Sequence, residues 1–294
     1  SPSWWQSKTR AAGYRCVGLA ALFFFTTLQA MLVCRLTGRL SGCKLIPVFY
    51  NSLGVVNMDE AKEYADQWDV SARFFYEQGY YSWMAQQIEQ MHTVVEVGCG
   101  TGYSTLALVE NGHNVIAIEK NHNCIVKAKQ LLTERGITDD RVIFIEGDIA
   151  EDAFRNGLAA EYEFNAVLCW NVGSYWNKKM VEYYLPYMLQ YGLNRWQIVQ
   201  NPESSYAELI LWETCRLAQA KGVAVHIVDR SAEALNTQND PYYKTLMKEF
   251  GYKGIEYANH TALSVSKGGR VLTTKGVANK KDYMEIILVS MLIQ

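Results

Sequence analysis

The stretch Val94-Val95-Glu96-Val97-Gly98-Cys99-Gly100-Thr101-Gly102 constrains this 294-residue chain more than any other. Its first four residues, apolar apart from Glu96, read as a buried strand. Three glycines at alternate positions follow, and Tyr103-Ser104-Thr105-Leu106-Ala107-Leu108-Val109 then picks up a helical period. Strand, glycine turn and helix bring bare backbone and free helix N–H groups to one point. A fold meets a nucleotide-like ligand in this way.

The spacing of the glycines narrows the ligand. A dinucleotide fingerprint requires Gly-x-Gly-x-x-Gly, and counting from Gly98 and Gly100 its third glycine would fall on Tyr103. The chain instead has Gly98-x-Gly100-x-Gly102, with Glu96 two residues before the first glycine. Asn114-Val115-Ile116-Ala117-Ile118-Glu119 reads as a second strand ending in a carboxylate. Residues 141–149 read as a third, ending in Gly147-Asp148-Ile149.

This order of landmarks resembles the class I S-adenosylmethionine (SAM)-dependent methyltransferases. The resemblance implies a Rossmann-like α/β fold of three layers, α/β/α. Its seven-stranded, mostly parallel sheet would carry an antiparallel last strand. It also implies SAM as cofactor, held at the turn by Glu96, Gly98, Cys99, Gly100 and Gly102. Glu119, with Lys120 beside it, would accept the ribose hydroxyls, and Asp148 with Ile149 would meet the adenine. A helix N-cap is the other reading of Asp148.

Residues 1–57 differ from the rest. They contain six basic residues and no acid, which leaves 22 basic and 30 acidic residues in 58–294, a net charge of −8. Residues 17–34 form an apolar run flanked by Arg10, Arg15, Arg35 and Arg39. Three readings stand side by side: a membrane anchor, a signal peptide, or sequence upstream of a start at Met58. The expected organisation is therefore an extension over 1–57 and a catalytic domain over 58–294, with a helical lid at 59–90. The seven cysteines (Cys16, Cys34, Cys43, Cys99, Cys124, Cys169, Cys215) are odd in number and form no C-x-x-C pair. Reduced thiols in a cytoplasmic protein are the reading, and no zinc-ligand spacing is visible.

The lid is expected as helices over 59–78 and 80–90, separated by Gly79. In the resembling family such helices also border the acceptor, so Tyr76, Tyr80, Tyr81 and Trp83 are candidate substrate contacts beside a plain core reading. Residues 164–171 read as strand four. Ligands bind outside the carboxyl ends of such strands, so Trp170 and Asn171 become candidates for the cofactor and the reacting centre. Ser174, Tyr175 and Trp176 are candidates for the acceptor. Family enzymes that methylate base amines carry Asn/Asp-Pro-Pro-Tyr/Phe here. This chain has Asn171-Val172-Gly173-Ser174, which counts against that substrate.

Beyond it the pattern gives a helix from Lys178, a short strand near 196–199, and a helix from Ser205 capped by Ser204 or Ser205. A strand at 223–228 and a helix at 242–250 follow. Residues 252–281 resist assignment apart from a hairpin turn at Gly268-Gly269, and 284–293 close the chain as an apolar strand.

Methyl transfer from a sulfonium is an in-line displacement that needs alignment and dryness more than a nucleophilic side chain. A base is needed only where the acceptor must lose a proton, and His260 is the candidate for it. His113 and His122, flanking strand two, read as loop histidines. A methyltransferase acting on O or N of a small molecule is the leading reading. A SAM-binding module without activity, a nicotinamide oxidoreductase, and a nucleic-acid or protein methyltransferase remain alternatives. The acidic 58–294 region suits a polyanion poorly, since phosphate neutralisation supplies most nonspecific affinity for nucleic acids.

Overall fold

A computed structural model describes residues 58–170, 178–240, 242–265 and 283–294. The chain enters as α1 (Met58–Glu77) and α2 (Tyr80–Gln86), followed by β1 (Thr93–Val97), α3 (Tyr103–Glu110) and β2 (Asn114–Glu119). Then come α4 (His122–Glu134), β3 (Val142–Glu146), α5 (Asp152–Glu161) and β4 (Ala166–Trp170). Helices α6 (Lys178–Gln190), α7 (Arg195–Gln200) and α8 (Pro202–Lys221) precede β5 (Ala224–Ser231). The last elements are α9 (Tyr242–Glu249), β6 (Ile255–Ser264) and β7 (Met284–Ile293).

The strands form one seven-stranded sheet in the order β3-β2-β1-β4-β5-β7-β6. All pairs are parallel except those of β7, which runs antiparallel between β5 and β6. This is the Rossmann-like sheet that the resemblance implied.

Alternation along the strands builds two cores. Val95, Val97, Val167 and Ile227 face one side, where α5 to α9 cover them. Val94, Leu168, Trp170 and Leu288 face the other, under α1 to α3. Both faces of β4 are buried along its whole length, as a central parallel strand requires. Cys99, Cys124, Cys169 and Cys215 are all buried.

Two assignments from pattern are corrected. The expected strand at 196–199 is helix α7. Ile198 is buried, whereas Trp196 is 71% and Val199 58% exposed, so the alternation of a buried strand is missing. The Ile198 N–H bonds back to the Asn194 carbonyl instead. Helix α8 starts earlier than expected, with Asn201 as its N-cap and Pro202 in the first position, where a missing N–H costs nothing. Ser205 instead donates its hydroxyl to the Asn201 carbonyl at 2.9 Å. The unassigned region contains β6, an edge strand on which Glu256, Asn259 and Thr261 are exposed and Ala262 and Ser264 buried. No helix among the described residues is long and apolar enough to cross a membrane. The run at 17–34 and the turn at Gly268-Gly269 lie outside those residues.

Candidate functional site at the glycine turn

The turn after β1 is stitched to β2. The Gly98 and Cys99 N–H groups both donate to the Ile118 carbonyl, at 2.8 and 3.1 Å. The Gly100 N–H donates to Glu119 Oε2 at 3.0 Å, while Glu119 Oε1 accepts from the Lys120 and Asn121 N–H groups at 2.9 Å each. Glu119 thus ties the turn to the start of α4. Burial pushes its carboxyl above the usual range, against the pull of those donors.

The three glycines turn out to have different duties. All have positive φ. A Cβ on Gly100 (φ +55) would meet the Trp68 indole of α1, 2.4 Å from Nε1. On Gly102 (φ +87) it would meet α4, 2.7 Å from Ala128 Cβ and 2.8 Å from its Cα. Gly100 therefore clears room beneath α1, and Gly102 lets two helices touch. Trp68 stacks on Tyr64, with centroids 6.3 Å apart, and α1 is fastened by Asn121 Nδ2 donating to the Ala61 carbonyl and by Lys127 on Asp66, both at 2.9 Å.

Glu96 is buried behind the turn, where its Oε2 accepts from the Thr105 hydroxyl at 2.6 Å in the first turns of α3. Burial, with Glu119 adding to it, pushes its carboxyl up to about 7 against the Ser104 and Thr105 hydrogen bonds. The folded protein therefore keeps a proton that the unfolded chain releases near pH 4.5. This group's contribution is lost as pH rises between those values, on the order of 3 kcal/mol. Glu96→Gln should flatten that fall. Urea denaturation at pH 5 and pH 8 measures it, and equal slopes in both proteins would contradict the assignment.

Asp148 forms its own turn, Oδ1 accepting from the Ala150 N–H at 2.9 Å, while Glu151 is the N-cap of α5. The N-cap reading of Asp148 is therefore set aside. Its Oδ2 accepts from the Tyr184 hydroxyl of α6. Lys120 stands beside it between the rings of Tyr184 and Tyr206, 5.1 and 4.2 Å from their centroids. Trp68, Thr105, Tyr184 and Tyr206 escaped the sequence reading. The i, i+4 pair Tyr64–Trp68 was a readable signal, but the two tyrosines arrive from 64 and 86 residues beyond Lys120 with no local mark.

Other candidates are placed differently from expectation. The Cys99 side chain and Ile149 are core residues, 3% exposed each. Tyr80 is buried and accepts at its hydroxyl from the Leu263 N–H at 2.9 Å, pinning α2 to β6. His260 stacks on Trp83 with centroids 5.0 Å apart and meets the edge of Tyr80. It lies on edge strand β6, three ladder steps from β4 and so roughly 14 Å away. The turn and His260 are not brought together; the fold sets His260 instead against Tyr80 and Trp83 of α2. Tyr81 is buried where both Arg230 and Glu96 reach it electrostatically. Trp170 caps β4 with its N–H turned to His226. Asn171, Ser174, Tyr175 and Trp176 lie outside the described residues.

A family model described as a methyltransferase domain matches residues 94–190, from β1 to the end of α6. Among solved structures, magnesium protoporphyrin IX methyltransferase from Synechocystis PCC 6803, with bound SAM, is similar at 13% identity and a TM-score of 0.40. That match covers 82% of this chain and 86% of the other. Precorrin-6y C5,15-methyltransferase from Geobacter metallireducens matches at 10% identity over 72% of this chain and 87% of its own, with a TM-score of 0.40. A SAM-dependent methyltransferase from Agrobacterium tumefaciens matches at 14% identity over 74% and 62%, with a TM-score of 0.42. No curated protein matches the chain.

Proposed function

We propose that the chain, whose residues 94–190 match a methyltransferase domain model, is a SAM-dependent methyltransferase that methylates an oxygen or nitrogen of a small-molecule acceptor. The observation that carries this reading is the charge of the site. Glu119 and Asp148 border a turn whose glycines leave no side chain between it and α1. Glu119 at the end of β2 and Asp148 just past β3 suit a cationic nucleoside better than a pyrophosphate. When bound, SAM supplies an electrophilic methyl carbon on a sulfonium.

The residues of this chain align and enclose. Glu119 holds the ribose side and Asp148 the adenine side, both being fixed in place by N–H donors of their own segments. Glu96, buried behind the turn, holds the Thr105 hydroxyl at the start of α3. Trp68 and Tyr64 on α1 keep water from the turn, strengthening those interactions. The acidic balance of 58–294 and the absence of a base-amine motif after β4 favour a small acceptor over nucleic acid. Candidate acceptor contacts are Tyr81 from the lid and Asn171, Tyr175 and Trp176 after β4.

Isothermal titration with SAM and with NADH tests the class of ligand: SAM should bind and NADH should not, and the reverse would overturn the reading. Labelled methyl from SAM, followed over a panel of phenols, amines and carboxylic acids, then tests the acceptor. Transfer to RNA or protein, with none to the panel, would move the substrate out of the small-molecule class.

A further inference from the structure

His226 lies in the middle of β5, fully buried, on a face where its neighbours Leu168, Val228, Leu288 and Leu292 are apolar. A leucine would fill this place without burying a polar ring, so the imidazole calls for a reason. Both its nitrogens are engaged. Trp170 Nε1–H meets Nδ1 at 2.8 Å, the rings perpendicular at 87°, and Nε2 meets Ser290 Oγ at 2.7 Å. An indole N–H only donates, so Nδ1 must accept. Burial, with His113 adding to it, pushes the imidazole down to about 3, so the ring is neutral and its one proton sits on Nε2, donated to Ser290. Every link in this chain across three strands has a single direction.

The chain ends on Trp170, the last residue of β4, whose carboxyl end borders the ligand side of a parallel sheet. We infer that His226 is a positioning residue, which through its single tautomer and the support of Ser290 locks the Trp170 indole in the orientation that SAM binding requires. This rests on the cofactor reading above. The lock is uncharged, so it adds no positive charge beside a sulfonium.

The test uses the whole chain with SAM as probe and reads two signals. The Trp170 indole N–H resonance is assigned by its loss in Trp170→Phe, and SAM affinity is measured by titration. His226→Leu removes the acceptor. It should shift the indole resonance, speed its hydrogen exchange, and weaken SAM binding roughly tenfold or more. His226→Asn offers an amide oxygen near the place of Nδ1 and should restore both. Should His226→Leu fail to fold, Ser290→Ala keeps the imidazole but frees its tautomer, and should speed indole exchange and weaken SAM several-fold. Loss of the indole signal with unchanged SAM affinity would overturn the proposal, as would equal weakening in the Leu and Asn variants. Wild-type protein that binds no SAM, yet shows the expected indole shifts, would instead overturn the cofactor reading beneath it.

Discussion

Gly100→Ala is expected to weaken SAM binding roughly hundredfold or more while the protein stays folded, and Gly102→Ala to cost stability instead. At Gly100 the new Cβ would lie 2.4 Å from the Trp68 indole, a side chain on the covering helix α1. The indole has to leave, and the lid over the turn goes with it. The left-handed backbone at φ +55 adds about 1–2 kcal/mol for any L side chain. Trp68 is only partly buried, at the border of one core, so the fold as a whole is kept. At Gly102 the obstacle is the Ala128 Cβ and Cα, part of the framework of α4, which cannot rotate away. Overpacking of this kind costs about 1–3 kcal/mol and φ +87 adds to it. A fall in melting temperature of roughly 10 °C is the expected reading. Thermal denaturation and SAM titration on both variants measure the split. A Gly100→Ala protein with wild-type affinity would mean that the turn is not the site.

The second large effect is at Glu119. Glu119→Ala leaves the Gly100, Lys120 and Asn121 N–H groups without their acceptor, and removes the carboxylate proposed to hold the ribose. A loss of about 3 kcal/mol or more in SAM binding, at least roughly a hundredfold, is the expectation. Glu119→Gln is the sharper experiment. Both carboxylate oxygens accept from backbone donors, so an amide must set its NH2 against either Gly100 or the Lys120–Asn121 pair. The isosteric variant should therefore bind SAM within a few-fold of the alanine variant. Near-normal affinity in Glu119→Gln, measured by titration, would count against both of the roles given to this residue.

The parts of the molecule that were legible in its sequence share a physical property: their signals are local. Strands β1, β2 and β4 are apolar runs bounded by glycine or polar turns, because central parallel strands are buried on both faces. Glu96 and Glu119 could be proposed from the sequence because each sits at a fixed offset from such a run. Helix α7 was misread because its apolar residues Trp196 and Val199 point outward, breaking the link between hydrophobicity and burial. Strand β6 was missed because an edge strand alternates weakly and is defined by its pairing with β7.

Long-range partnership was hardest to see. Val225-His226-Ile227 looks like any strand with one polar residue, and only the fold brings His226 to Trp170, 56 residues earlier, and to Ser290, 64 residues later. Tyr184 at Asp148 is hidden for the same reason. The place of His260 is likewise set by the fold. A histidine near the end of the chain suits the family pattern, yet strand order carries it to the far edge of the sheet.

A crystal structure with S-adenosylhomocysteine bound tests the central claim most directly. The account predicts the nucleoside lying across Gly98–Gly102, its ribose hydroxyls on the Glu119 carboxylate and its adenine amino group beside Asp148. Electron density for the ligand in another part of the molecule, or at the turn with both carboxylates facing away from it, would contradict the account.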